Sequence, residues 1–422
     1  MRTITNDALA CSMPRAIGSW APHASLALVV LLASAISSAD ASTRSRDLTR
    51  QGYAAAYALN FPESLTLFAD AHRADPLDPA PKRAIAAVTW MEILFGQGVA
   101  TFEAFQGEAS GDAVQRPTVD ADLAARFLGS VSEAIQLAER QSTVTPADAD
   151  VLYQLGASTG LLALYRATVE GRTWAAFVEG RRAVRLMERV RQQHNGHREA
   201  ALILGMYRYA VSTLAWPKRV LANAAGMPGD RAGGIELLET AAALPAETAS
   251  DASLLLVIVY NRDGRHADAL RHLRQLRERH PANRLLVLNT AATALAASDP
   301  TAVADMISAG LTTQPNFDRP WVLGERAAWY YMRGAARVAL GDVLASDDLR
   351  HALASGPRDW IRARTHLALA RLALQSGNER QATLELDAAE RFGRRGADGR
   401  TVEQAKALRR AGVRAGRSGV SG

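Results

Sequence analysis

Apolar and polar positions along this chain recur with the period of helices, and 251–281 is the clearest instance. Residues 254–260 (LLLVIVY) are apolar almost all round, the pattern of a helix covered on both sides. Asn261, Arg262, Asp263 and Gly264 then end it with a glycine able to take positive φ. In the next stretch Ala269, Leu270, Leu273 and Leu276 share one face, Arg271, Arg274, Arg277 and Glu278 point away, and Pro281 closes the unit. Similar patterns predict further pairs at 49–76, 82–95 with 119–138, 149 onward with 174–190, 198 onward with 231–243, 284–315, 321–340 with 344–353, and 361–392. A Gly-, Gln- and Ser-rich stretch over 96–118 reads as a loop or insertion inside the second pair. Two helix starts are marked by proline: Thr145-Pro146-Ala147-Asp148, with Thr145 as the expected cap, and Asp299-Pro300. The expected fold class is all-α, a stack of antiparallel helix hairpins.

One such hairpin cannot bury its apolar face alone, so it needs copies. Leu273 recurs as Ile307 and Pro281 as Pro315, a spacing of 34, although the small Ala269 is answered by Val303. In the first pair the small residues Gly52, Ala55, Ser64 and Ala71 sit where two helices must approach, Phe61 and Phe68 fill the gaps, and Pro76 closes the unit. Leu155-Gly156 and Leu204-Gly205 repeat the small-residue signature. This order resembles the tetratricopeptide repeat (TPR) family. The resemblance implies an α-solenoid whose first helices line a concave face, binding an extended peptide or a partner helix. The string Gly226-Met227-Pro228-Gly229-Asp230-Arg231, followed by Gly234-Ile235-Glu236-Leu237-Leu238, is similar to a connector in an outer-membrane-associated TPR family that includes eukaryotic inclusion-clearance proteins. That likeness spans 197–243 and implies a family feature without naming its job.

Composition agrees with an all-helical reading: 48% hydrophobic residues and only 6% aromatics over 422 residues, more than one compact domain usually holds. A net charge of +6 hints at nucleic acid until it is located. From Arg391 onward nine basic residues face only Asp398 and Glu403, so this segment at +7 accounts for the whole excess. The body carries no basic stripe for a phosphate backbone, and no nucleic-acid partner is expected. The expected division is a signal peptide at 1–41, N-terminal repeats with insertions at 42–243, C-terminal repeats at 244–392, and a basic tail at 393–422. That tail reads as disordered, or as a frayed capping helix over 401–410.

Arg15 and a polar segment precede an apolar run over 24–36, and Ala39-Asp40-Ala41 then offers small residues flanking a scissile bond. The run is short for a membrane span, so export to the periplasm with a mature N-terminus at Ser42 is expected; an uncleaved anchor is the alternative. Intact mass of the periplasmic protein decides between them. Met13 would give a more ordinary leader than Met1. Cys11 lies upstream of the run, leaving the mature chain with no disulfide, thiol nucleophile or cysteine metal site.

No chemistry-bearing motif appears. Gly-x-Ser-x-Gly, a phosphate loop ending in Lys-Ser or Lys-Thr, and His-Glu-x-x-His are all missing, and lysine occurs only at 82, 218 and 406. His194 and His197 flank a helix-breaking Asn-Gly, while His266 and His272 are six apart, so these histidines read as solvated side chains rather than metal ligands. No enzyme activity, cofactor or metal is expected. The candidate partner-binding residues are Tyr207, Tyr209 and Trp216 along a groove, the adjacent Trp329 and Tyr330 (with Tyr331, neighbours that cannot all face inward), and the amides Asn261 and Asn289 on first helices. Core packing and helix capping are the plainer roles for these residues. The connector 216–230, with Trp216, Lys218 and Arg219 beside apolar residues, suits peripheral contact with a membrane. The resulting expectation is an exported scaffold for a protein or peptide ligand, oligomeric state open. The alternatives are an envelope assembly or membrane-associated factor and, last, a hydrolase with a site built across repeats.

Overall fold

The computed structural model describes residues 43–98, 101, 118–193, 199–214, 216–224, 226–244, 248–313 and 321–418. The expected leader, most of the 96–118 insertion, His194, His197 and Pro315 lie outside them. Among the described residues there are eighteen helices and no strand. They form eight antiparallel hairpins in chain order: α1 (Thr43–Tyr57) with α2 (Phe61–Ala74), α3 (Ala80–Gly96) with α4 (Ala121–Val144), and α5 (Ala149–Thr168) with α6 (Thr173–Gln193). Next, α7 (Ala200–Ser212) pairs with α9 (Arg231–Ala242) across the short α8 (Trp216–Ala224), and α10 (Thr248–Arg262) pairs with α11 (His266–Arg279). The last three are α12 (Arg284–Ala296) with α13 (Pro300–Thr313), α14 (Glu325–Leu340) with α15 (Ala345–Ala354), and α16 (Asp359–Gln375) with α17 (Glu379–Arg395).

Every predicted pair is present, and of the two readings of the tail it is the capping helix that forms, longer than 401–410. This is α18 (Gly399–Ser418), which packs on α17 and α16. Asp398 is the reason: its carboxylate caps the new helix at Thr401 N (3.1 Å) and accepts from Arg364 Nε of α16 at 2.6 Å. The helix start near 145 is corrected. Thr145 closes α4 through its N–H to Gln141 O, and Asp148 is the cap, accepting from Val151 N at 3.1 Å. Asp299 caps α13 as predicted, accepting from Ala302 N at 3.1 Å.

Glycines set how closely the two helices of a hairpin meet. A Cβ added at Gly52 would lie 2.5 Å from the Phe68 ring, and one at Gly334 would lie 2.8 Å from Leu349. Between α7 and α9 the contact is backbone on backbone: a Cβ on Gly205 would lie 2.8 Å from Gly234 O, and one on Gly234 would lie 2.8 Å from Tyr209 N. Neither backbone can rotate out of the way, so this crossing depends on both glycines.

The array also meets itself. At the end of α1 the Tyr57 hydroxyl donates to the buried Asp251 carboxylate of α10, 194 residues away. The Tyr57 ring stacks on His280, centroids 4.1 Å apart, and His280 Nε2 meets Ser250 Oγ at 2.8 Å. The first hairpin therefore meets the fifth, and α10, packed against α7, α9 and α11 as well, has every residue from 248 to 261 buried, in keeping with the apolar run over 254–260. One histidine prediction fails in the same neighbourhood. His272 is not solvated; it is buried, stacks on Tyr260, and has no hydrogen-bond partner for either ring nitrogen among the described residues.

Burial, with Arg279 adding to it, pushes His280 down from its ordinary 6.5 to about 4, and burial followed by Arg271 lowers His272 as well. The unfolded chain therefore takes up protons near pH 6.5 that the folded rings refuse. Stability is expected to be full above that value and to fall as pH drops toward 4. Thermal melts across this range should show the loss, and His280→Gln should flatten part of it. A melting temperature independent of pH over the same interval would remove the buried-histidine account.

Candidate functional site

The first helices of the last hairpins, α12, α14 and α16, lie side by side with α18, and a cavity of about 460 Å³ opens along them. The lining positions recur every 36 residues: Leu295, Tyr331 and Leu367 form one row, Ala335 and Arg371 a second, and Arg364 and Arg400 a third. Small residues such as Ala292 and Ala368 line the cavity together with the buried Tyr331 and Leu367, while Arg371 and Arg400 are exposed.

Three arginines give the groove its charge. Arg364 is engaged by Asp398, with its guanidinium 5.0 Å from the Trp360 ring centre. Arg371 donates to Gln404 Oε1 at 3.2 Å and has no acidic partner among the described residues. Arg400 has none either, and it stands in the first turn of α18, where the helix dipole disfavours a cation. An unpaired cation in an unfavourable position for its own helix is free to meet an anion. Among the described residues no acidic side chain lines the groove.

Most of the residues singled out in the sequence lie elsewhere. Asn261 is a correction: its Nδ2 donates to Val257 O (2.9 Å) and Thr293 Oγ1 (3.0 Å), and its Oδ1 meets His266 Nδ1, tying α10 to α11 and α12. Asn289 is another, buried and donating to Leu285 O at 2.7 Å within α12. Trp329 is fully buried with its Nε1–H on Glu325, and so cannot reach a ligand; Tyr330, half-buried, rests on His351 away from the groove. Tyr209 is buried, its hydroxyl donating to Asp263 Oδ1 at 2.9 Å, and Arg231 grips the same carboxylate. Tyr207 lines a separate apolar cavity between the third and fourth hairpins, and Trp216 stands exposed at the start of α8.

Sequence reasoning missed Arg371 and Arg400. The first resembles any outward arginine on an amphipathic helix, and the second was assigned to a tail. The available signal was the 36-residue phase, which places Arg400 at the position of Arg364 one unit on.

Eight hairpins, several with glycine at the crossing (Gly52, Gly156, Gly205 with Gly234, Gly334), and first helices in a repeating phase along one groove decide the architecture. The chain is an α-solenoid of antiparallel helix hairpins. No protein-family model and no curated protein matches the chain. Solved structures similar to this solenoid include a tetratricopeptide repeat protein from Parabacteroides merdae ATCC 43184 (13% identity, 78% of this chain, 99% of that one, TM-score 0.31). Human IFIT1 dimer with m7Gppp-AAAA is similar over 93% of this chain and 91% of that one (13% identity, TM-score 0.44), and the P58(IPK) TPR domain over 86% and 99% (12% identity, TM-score 0.22). Among the described residues, no helix of the solenoid is long and apolar enough to cross a membrane, and no group of three or more His, Cys, Asp or Glu side chains is placed to hold a metal.

Proposed function

We propose that this solenoid is a protein-interaction scaffold whose groove across α12, α14, α16 and α18 takes an extended, acidic segment of a partner protein, outside the cytoplasm. The observation that carries the reading is Arg400, a cation with no acidic partner among the described residues, projecting with Arg371 over an apolar floor. Such a groove suits a segment that alternates apolar and acidic side chains, with the arginines orienting it and the floor supplying affinity.

The test uses the full chain and a fluorescent decapeptide alternating leucine with glutamate. Anisotropy should show saturable binding that weakens with salt. Arg371→Gln combined with Arg400→Gln should weaken it by about tenfold, since each exposed pair contributes up to about 1 kcal/mol. Neither arginine supports the core, so the melting temperature should not move. Absence of binding, indifference to the double substitution, or tighter capture of a single-stranded oligonucleotide of equal charge would overturn the proposal.

A further inference from the structure

The cavity beside Tyr207 differs in kind from the groove. It has a volume of about 190 Å³ and lies between the third and fourth hairpins, with α8 and the following turn as its roof through Ala222 and Met227. Its walls come from small residues of α5 and α6: Gly160, Ala163, Gly180 and Ala183. Gly160 and Gly180 let α5 and α6 pack at ordinary contact distance: a Cβ added at Gly180 would lie 3.9 Å from Ala163, and one at Gly160 3.6 Å from Ala183, against 2.8 Å at Gly205. Both glycines also line the cavity, where they have no side chain to fill it. A void of this size lined by hydrocarbon costs stability through lost packing, and apolar cavities of about 150 Å³ take up benzene.

Two polar side chains interrupt the lining, Thr173 and Tyr207. The Tyr207 hydroxyl is buried and has no hydrogen-bond partner among the described residues. Burial, and secondarily Glu188, raises its pKa, so it remains a neutral O–H donor in need of an acceptor. The apolar lining disfavours an anionic occupant, whose charge would lose its hydration there. Trp174 (71% exposed) stacks on the lining residue Phe177 with centroids 5.6 Å apart, and Trp216 (69% exposed) and Val220 are exposed on α8, whose Ala222 lines the cavity.

We propose that this pocket binds an alkyl chain bearing a neutral oxygen acceptor, an alcohol or ester of roughly eight carbons in reach, with Tyr207 donating to the oxygen. The carbon count scales from the benzene-sized cavity. Such a chain arrives either as a free molecule or as part of a lipid ester, and the two sources are separable.

The experiment titrates the full chain with 1-octanol, methyl octanoate and sodium octanoate by calorimetry, and separately sediments it with phosphatidylcholine vesicles. Saturable one-to-one binding of the alcohol or ester, at least tenfold tighter than octanoate, supports the proposal with a free source. Sedimentation with vesicles that Gly180→Leu removes supports it with a lipid source. Gly180→Leu fills the space from α6 and should abolish binding while leaving the melting temperature unchanged or higher. Ala210→Leu fills it from α7 and covers the case in which the first variant fails to fold. Tyr207→Phe should weaken the alcohol roughly fivefold, the value of one hydrogen bond. Absence of saturable binding in both arms, or binding that survives a folded pocket-filling variant, overturns the proposal.

Discussion

Replacing Glu325 with alanine is expected to unfold the C-terminal half of the solenoid near room temperature. Glu325 and Arg284 form an ion pair with almost no exposure (0% and 1%), bidentate at 2.6 and 2.9 Å, and it joins α12 to α14 across neighbouring hairpins. The carboxylate also accepts from Val322 N (2.9 Å) and Trp329 Nε1 (3.4 Å). Removing it leaves a guanidinium in the core without its counter-charge, a loss of about 3–5 kcal/mol, comparable to much of a domain's net stability. Replacing both partners, Arg284→Met with Glu325→Leu, should recover most of the loss, because no buried charge then remains. Chemical denaturation of the single and double variants checks this. A single variant within about 1 kcal/mol of the parent would show that solvent reaches the pair.

Leu273→Asp is expected to have the second large effect. Leu273 has no exposure and sits at the centre of the fifth hairpin, so a carboxylate there should cost several kcal/mol. The distribution of the damage is the informative part. A linear stack would lose hydrogen-exchange protection in the fifth hairpin and its neighbours and keep it in the first. Because Tyr57 is held by Asp251 and His280, α1 should lose protection too, while α16 to α18 keep theirs. Protection retained throughout α1 would show that its contact with α10 carries no energetic coupling.

How much of this was legible in the sequence depended on how far apart the deciding partners lie. The hairpins were, because a helix writes its buried face at a period of 3.6 into consecutive residues and its turn into a glycine such as Gly264. The groove-facing assignment of Asn289 was not sound, because the need for a partner was met by Leu285 O one turn back on the same helix, a solution invisible to any surface argument. Trp329 follows the same logic, with Glu325 one turn back. The meeting of Tyr57 with Asp251 could not be read at all: it depends on curvature accumulated over four intervening hairpin junctions, each set by side-chain shape rather than by pattern. The groove fell between these cases, its rows periodic but its period of 36 hidden by the imperfect 34-residue copy upstream.

The closure between α1 and α10 constrains how such a protein can change over evolutionary time. Solenoids ordinarily gain and lose repeats by duplication or deletion at any junction, since each unit answers only to its neighbours. Here a duplication anywhere between the first and fifth hairpins would carry Tyr57 one step along the curve, away from Asp251 and His280, and leave a buried carboxylate without that donor. Repeats beyond α11 face no such condition. The N-terminal part of this lineage is therefore expected to hold its length, while variation in repeat number accumulates in the segment that contains the arginine groove.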